Sequence, residues 1–472
     1  MTGSGLAIVD NIKMGYAFET TPGTIPAAAF QTLRPKGQSL DASLKYKASD
    51  EFRADRQVSD QVLIDASPAG QISGEISFGS FDDFLQAVMS QSAWTNLLRQ
   101  TGVSVTSTSV FTIPSGGAAA VANHVVRAAG FATAGNNGLF PVASSTGTTV
   151  TVSGTPLTIE TSGAAKSLRI WGFTSTSGDI TATASGLAST TLDFTTLGLA
   201  IGQILKIGGP LAANQFATAA NKGLARITAI AAHALTLDNL PVGWATDTGT
   251  GKTIYVQISD RLQNGVTPQS FTIERWHTDI TQFFQFMGMY IDKLTLNLTP
   301  AAILDAQFDF KGVGYALTQT TASTGSYVAA PTTAVMNAVN GVPKIQEGGN
   351  NTGYLKKMTL TAMNNTREQK AVGTLGNVGI GFGKFAAQIT FEAYFTSATL
   401  YNKYLAATLT SLMFATSDPA GNYYVFTLPA VKLSSAKISA AGINQDVTMQ
   451  VTADALIDTV SGVMMQIDRI PA

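Results

Sequence analysis

The chain has 472 residues, of which only 12% are charged. It is long enough for several domains, since one hydrophobic core rarely grows past roughly 250–300 residues, and far less charged than the ~25% of ordinary soluble proteins. A net charge of −1 argues against a strongly basic nucleic-acid binder, and the absence of cysteine excludes disulfides, thiolate metal sites and cysteine nucleophiles.

The start of the chain lacks a basic segment followed by a continuous apolar run, so no secretory signal is expected. No apolar run reaches the ~18–20 residues of a membrane span, and synthesis in a cytoplasm is the expectation. The first distinctive stretch is 49–69, which concentrates the scarce charges: Asp50, Glu51, Arg53, Asp55, Arg56, Asp60 and Asp65. It shows no periodicity and reads as irregular. Just before it, Ser43-Leu44 resembles Thr359-Leu360. Residues 71–78 (Gln-Ile-Ser-Gly-Glu-Ile-Ser-Phe) read as a strand. Phe81, Phe84, Leu85 and Val88 then follow at helical spacing, with Ser80 placed as N-cap and Asp82 and Asp83 in the first turn. This helix is expected to run to near Arg99.

The strand pattern then stops until about Ser270, and the interruption carries its own repeat. Residues 131–139 (Phe-Ala-Thr-Ala-Gly-Asn-Asn-Gly-Leu) recur as 216–224 (Phe-Ala-Thr-Ala-Ala-Asn-Lys-Gly-Leu), and Pro156 and Pro241 keep step. Leu168-Arg169-Ile170 likewise corresponds to Thr253-Ile254-Tyr255. Two small β-modules, 104–185 and 186–262, are expected, rich in Thr, Ser and Gly and projecting from the surface of a host domain.

The host pattern resumes with residues 293–298 and 306–310, which alternate as antiparallel strands with one wet face do. Residues 319–343 are small and polar and read as a linker. Beyond them, residues 388–395 (Gln-Ile-Thr-Phe-Glu-Ala-Tyr-Phe) repeat 71–78: Gln71, Ile72, Glu75 and Phe78 are matched by Gln388, Ile389, Glu392 and Phe395. Ser397 stands where Ser80 does, and Tyr401 and Leu405 take the places of Phe84 and Val88. Residues 436–439 and 447–451 serve as counterparts of 293–298 and 306–310. The expected organisation is mainly β: one strand-and-helix domain present twice. The first copy is discontinuous (1–103 plus 263–320), the second is 345–472, and 321–344 link them.

Catalytic chemistry is not evident. His124, His233 and His277 are dispersed, and His277 with Asp279 and Glu274 reads as polar residues at a strand end rather than a dyad. The Gly135–Gly138 segment reads as a turn. Thr248–Thr253 ends like a phosphate-binding loop but leads into a strand pattern, where such a loop must enter a helix. Glu75 and Glu392 fall in separate copies, so pairing with a neighbouring strand or subunit is the expectation for each. Phe283, Phe284, Phe286 and Tyr290 read as packing. No catalytic residue, metal or cofactor is expected.

The run 66–78 with the 81–89 helix, and then 270–275 through 286–291 to 308–312, resembles the tail tube (major tail) proteins of long-tailed, siphovirus-type bacteriophages. The resemblance implies two β-sandwich domains, each with one flanking α-helix, whose inner sheets join around a ring. Rings stack into a tube that encloses the tape-measure protein and then passes genomic DNA, without reading its sequence, and tail terminator and baseplate proteins are implied at the ends. A duplicated domain implies a homotrimeric ring with pseudo-sixfold symmetry, in a virion tail assembled in the bacterial cytoplasm. The charged 49–69 loop is the candidate inter-ring contact, since salt bridges between partners give register more than affinity. Two other readings of the repeats are a virion surface or adhesin protein and a carbohydrate-active enzyme, but no carboxylate pair selects the latter.

Overall fold

The computed structural model describes residues 7–339, 341–342, 344–351, 354–440 and 442–472. Half one comprises β1 (Ile12–Phe18), β2 (Gly37–Gln38), β3 (Leu44–Ala48), β4 (Gln61–Ala66), β5 (Ala69–Glu75), α1 (Asp82–Val88), β6 (Phe271–His277), β7 (Gln282–Leu298), β8 (Asp305–Lys311) and β9 (Gly314–Thr318). Half two comprises β10 (Lys344–Glu347), β11 (Leu355–Met363), β12 (Arg367–Gln369), β13 (Gly379–Gly381), β14 (Ala386–Tyr394), α2 (Thr399–Leu405), β15 (Thr410–Ser417), β16 (Tyr423–Ser439), β17 (Thr448–Ala455) and β18 (Gln466–Ile470).

Each half is a sandwich whose two sheets share one 17-residue strand. The first part of β7 lies between β6 and β9, and its last part lies between β8 and β11. The first part of β16 lies between β15 and β18, and its last part pairs with β17. Gly288, at φ 62, bends β7 near its change of sheet, where a Cβ would meet Val313 at 2.8 Å. Pro429, which has no N–H to offer a ladder, marks the corresponding stretch of β16. The inner sheets of the two halves form one antiparallel ladder in the order β2, β5, β8, β7, β11, β14, β17, β16.

The halves correspond in register. Ile72 faces Phe308 as Ile389 faces Ala453, and Gln71 faces Asp309 as Gln388 faces Asp454. Phe84 anchors the core of half one against Tyr16, Phe271 and Phe308, with ring centroids 4.9, 5.1 and 5.2 Å away.

Several expectations need correction. The counterpart of 306–310 begins at Val451 rather than at 447, since Ala306 to Asp309 answer to Val451 to Asp454. Gln38, not Leu44, is the counterpart of Leu360, since they face Ile72 and Ile389 respectively. Residues 61–66 are a strand, paired with β3 in an arm that carries its apolar side chains in solvent and so shows no burial period. Ser80 does not cap α1, its Oγ bonding Ser77 Oγ at 2.6 Å, whereas Ser397 Oγ bonds Thr399 Oγ1 at 3.2 Å and accepts from the N–H of Thr399, the first residue of α2, at a long 3.4 Å. α1 ends at Val88, where Ser90 turns at φ 50, well short of Arg99. The stretch read as a linker is pinned to half one by bridges at Val328, Val335 and Asn337, with Met336 fully buried.

Residues 99–258 build a separate sheet. Its two modules meet where Ser167–Thr174 pairs with Tyr255–Ile258, and strand order outward from that seam is the same on both sides. The repeated asparagines explain themselves. Asn136 clamps the backbone of Thr158 (2.8 and 2.9 Å), and Asn221 clamps Ala245 with the same two distances. Burying such an amide is tolerable because both ends are bonded. Ile204 and Leu224 of this sheet cluster with Met413, Ala415, Val425 and Ile470, on the outer face of half two and away from the inner ladder.

Candidate assembly interface

The inner ladder has one dry face and one wet face. Ile72, Leu294, Phe308, Leu360, Ile389 and Ala453 are fully buried, and strand alternation turns their neighbours to the other side. There the charges are matched locally: Lys293 with Asp309 (2.7 Å), Lys36 with Asp305 (2.9 Å) and Lys356 with Glu392 (3.1 Å). Gln388 donates to Asp454 at 2.6 Å. The repeated motif is thereby placed: Ile72 and Ile389 fill the core, while Gln71, Gln388, Glu75 and Glu392 stand on the wet face. Glu75 lies opposite Asp305 and Glu392 opposite Gln450, in separate halves and far apart along the ladder.

The two halves are joined by a ladder of their own. β7 pairs with β11 from Lys293 opposite Met363 to Leu298 opposite Met358, and Thr359 Oγ1 donates to Asn297 at 3.0 Å. Behind this seam, the start of α1 meets the outer sheet of half two. Phe78 stacks on Tyr424 with centroids 5.2 Å apart, and the Tyr424 hydroxyl accepts from Gly79 N–H at 2.8 Å while donating to Asp82. Burial and the Asp82 carboxylate hold that hydroxyl well above its usual range. Arg469 pairs with Asp82 and with Asp260 (3.0 Å) and lies over Trp94 at 4.4 Å. Sequence reasoning missed Tyr424 and Arg469. The one available signal was the adjacent Asp468 and Arg469 in a chain otherwise poor in charge.

Two edges of the inner ladder remain open. The last part of β16 pairs with β17 on one side, and among the described residues no strand pairs with its other side. Residues 36–41 pair with β5 alone. Lys432, Ser435, Lys437 and Ile438 on one edge and Ser39 and Asp41 on the other are exposed. Open edges are templates for another chain. α2 shares this unfinished character. α1 buries Phe84, Leu85, Gln86, Ala87 and Val88, whereas α2 buries none of its residues.

The arm β3–β4 leaves the ladder beside β5 and exposes its tip, with Phe52 wholly in solvent. Asp50, Glu51, Arg53, Asp55, Arg56 and Asp60 are all exposed there. Arg53 pairs with Asp55 (2.6 Å) and Glu51 (3.4 Å), which fixes the tip's shape from within. Asp65 stands apart. It is buried at the arm's base, where Lys370, Ser67 and Lys45 hold its carboxyl down to about 2. In half two the hairpin β12–β13 leaves from the corresponding place, between β11 and β14.

The residues weighed for chemistry do other things. Glu274 is buried and accepts from Gln285 (2.9 Å), Tyr327, Thr321 (2.6 Å) and Ala322 N–H (2.7 Å). His277 packs edge-on against Phe284, and Asp279 accepts from Ile8 N–H at 2.7 Å. Phe283 and Phe286 are buried, and Tyr290 packs on Phe382. Among the described residues no three carboxylates or histidines converge on a metal-sized space, and no helix is long and apolar enough to cross a membrane.

Residues 10–239 and, again, residues 234–455 match the family described as phage tail tube protein. No curated protein matches the chain.

Proposed function

The chain belongs to the phage tail tube protein family, structural components of the virion tail, and from that membership we propose that three copies close edge to edge into a ring and that rings stack into a hollow tube. The observation that carries this reading is the internal seam. Half one already presents a strand edge that half two completes, and half two ends in an edge of the same kind with nothing on it. Repeating one step around an axis closes the sheet and removes every edge. With eight ladder strands per chain, three chains give about 24 strands and a barrel roughly 45–50 Å across at the backbone.

The wet face is the lumen. The outer sheets, and beyond half two the 99–258 sheet, occupy the opposite side, and that mass has no place inside such a barrel. Pairing Lys36, Lys293 and Lys356 with carboxylates reduces the net field along the channel. DNA, whose affinity for proteins comes chiefly from unpaired cations, therefore slides without adhering. The tape-measure protein would occupy this channel during assembly in the host cytoplasm, with terminator and baseplate proteins on the end rings.

The domain plan we propose starts from tube domains 1–103 plus 263–320 and 345–472 and modules 104–185 and 186–262 carried outward, with two adjustments: 99–103 go with the sheet of the modules, and the 321–339 part of the connecting 321–344 goes with half one. The arm tip, with Asp50, Glu51, Arg53, Asp55, Arg56 and Asp60, reaches the next ring. Such a head-to-tail contact does not close along the axis and so makes a filament. Purified protein, concentrated and viewed by negative-stain microscopy, is expected to form hollow cylinders with a regular repeat. Discrete particles at every concentration would overturn the reading.

A further inference from the structure

Resting on that ring reading, we infer that the open edge of β16 pairs with residues 36–41 of the next copy in the register that β7 and β11 use within one chain. Residues 36–41 are half one's version of 358–363, because Gln38 faces Ile72 as Leu360 faces Ile389. The end of β16 is half two's version of the end of β7, because Leu433 faces Ala453 as Leu294 faces Phe308. Within the chain Leu294 faces Ala362, Thr295 faces Thr361 and Leu296 faces Leu360. Carried to the open edges, Leu433 faces Leu40, Ser435 faces Ser39 and Ala436 faces Gln38 of the neighbour, Ser434 being the extra residue of a bulge.

Backbone direction agrees with this register. Ser39 N–H donates inward to Gln71 at 2.8 Å, so Gln38 and Leu40 turn their groups outward, toward a newcomer. In the separate chain those of Leu40 are kept occupied. Leu40 N–H donates to Gln38 Oε1 at 2.9 Å, and the Leu40 carbonyl accepts from Arg275 Nη1 at 3.0 Å. Gln38 thus plays the part of the missing strand, a device that quiets an edge until the right one arrives. Charge agrees as well. Lys293 faces Met363 inside the chain, but at the same step between copies exposed Lys432 faces exposed Asp41. The internal seam is neutral there and the external one is complementary, which favours a neighbouring copy over any other strand.

The chain's lack of cysteine makes the test direct. Ser39 and Ser435 form a pair whose backbones do not bond each other, with Cα atoms about 4.5 Å apart, within reach of a disulfide. A single chain carrying Ser39→Cys and Ser435→Cys is assembled, oxidised and run on a denaturing gel. Covalent dimers and trimers are expected, while Ser39→Cys with Lys437→Cys, two residues out of step, stays monomeric. Thr295→Cys with Thr361→Cys reports the internal seam and closes within one chain. Rings that form but link through the out-of-step pair, or through neither, overturn the register and leave the ring reading standing. Absence of rings from the unmodified protein overturns both. Charge exchange gives a second reading independent of thiols: Lys432→Asp or Asp41→Lys alone lowers ring yield, and the two together restore it. A double variant no better than the singles contradicts the pairing.

Discussion

Gly74 and Phe391 hold the same place in the two copies of the repeated strand, as do Phe81 and Ala398. The bulky side chain has changed sides. A Cβ on Gly74 would sit 2.2 Å from Phe81 Cζ, and Phe81 stacks on Phe308 with centroids 5.6 Å apart. Gly74→Ala is expected to cost about 1–3 kcal/mol through overpacking. Phe81→Ala in the same chain relieves that clash, so the two losses combine to less than their sum in denaturant melts. Simple additivity would show that the ring does not fill the glycine's space. Asp65 supplies a second test. Its carboxyl is held at about 2, below the ~3.9 of an unfolded chain. The anchor therefore contributes fully above about pH 4 and is lost as pH falls toward 2. Asp65→Asn is expected to loosen the arm by about 1 kcal/mol at neutral pH, since the lysine side of the contact is partly wet. The variant's arm is cleaved faster by protease at pH 7 and gains no further sensitivity on acidification.

At the scale of elements, the strands whose alternation matches a buried face were legible from residues alone: 293–298, 306–310 and the repeated 71–78 and 388–395. β4 was not, because Val62 and Ile64 are exposed and the alternation that marks a strand never reaches a core. The helices were found by spacing, but the first was misread at both ends, since Ser80 bonds the Ser77 hydroxyl instead of the helix and the turn at Ser90 stops it early. The seam between halves left no sequence signal. A ladder is made by backbone groups, and the side chains of Thr359 and Asn297 that decorate it resemble any other wet-face pair. Reversing Arg53 and Arg56 to Glu removes the pairing of Arg53 with Asp55 and Glu51 and makes the tip uniformly acidic. Rings are expected to persist while tube length in electron micrographs collapses. Tubes of normal length would remove the arm from the inter-ring contact.

For the whole molecule, low charge, duplication and two open edges have one explanation. On the ring reading, surface that a free protein would need to keep soluble is reserved for copies of itself, and the inner ladder keeps its polar residues on one face. The decisive quantity is the number of chains in a ring, because the account makes each polypeptide two neighbouring staves of one barrel. Native mass measurement of rings released from tubes, paired with a cross-section of those tubes at strand resolution, reads it directly. The account predicts three chains and a closed inner sheet with Lys293, Asp309 and Asp454 facing the channel. Six chains per ring, or the same residues on the tube's outer surface, would contradict it.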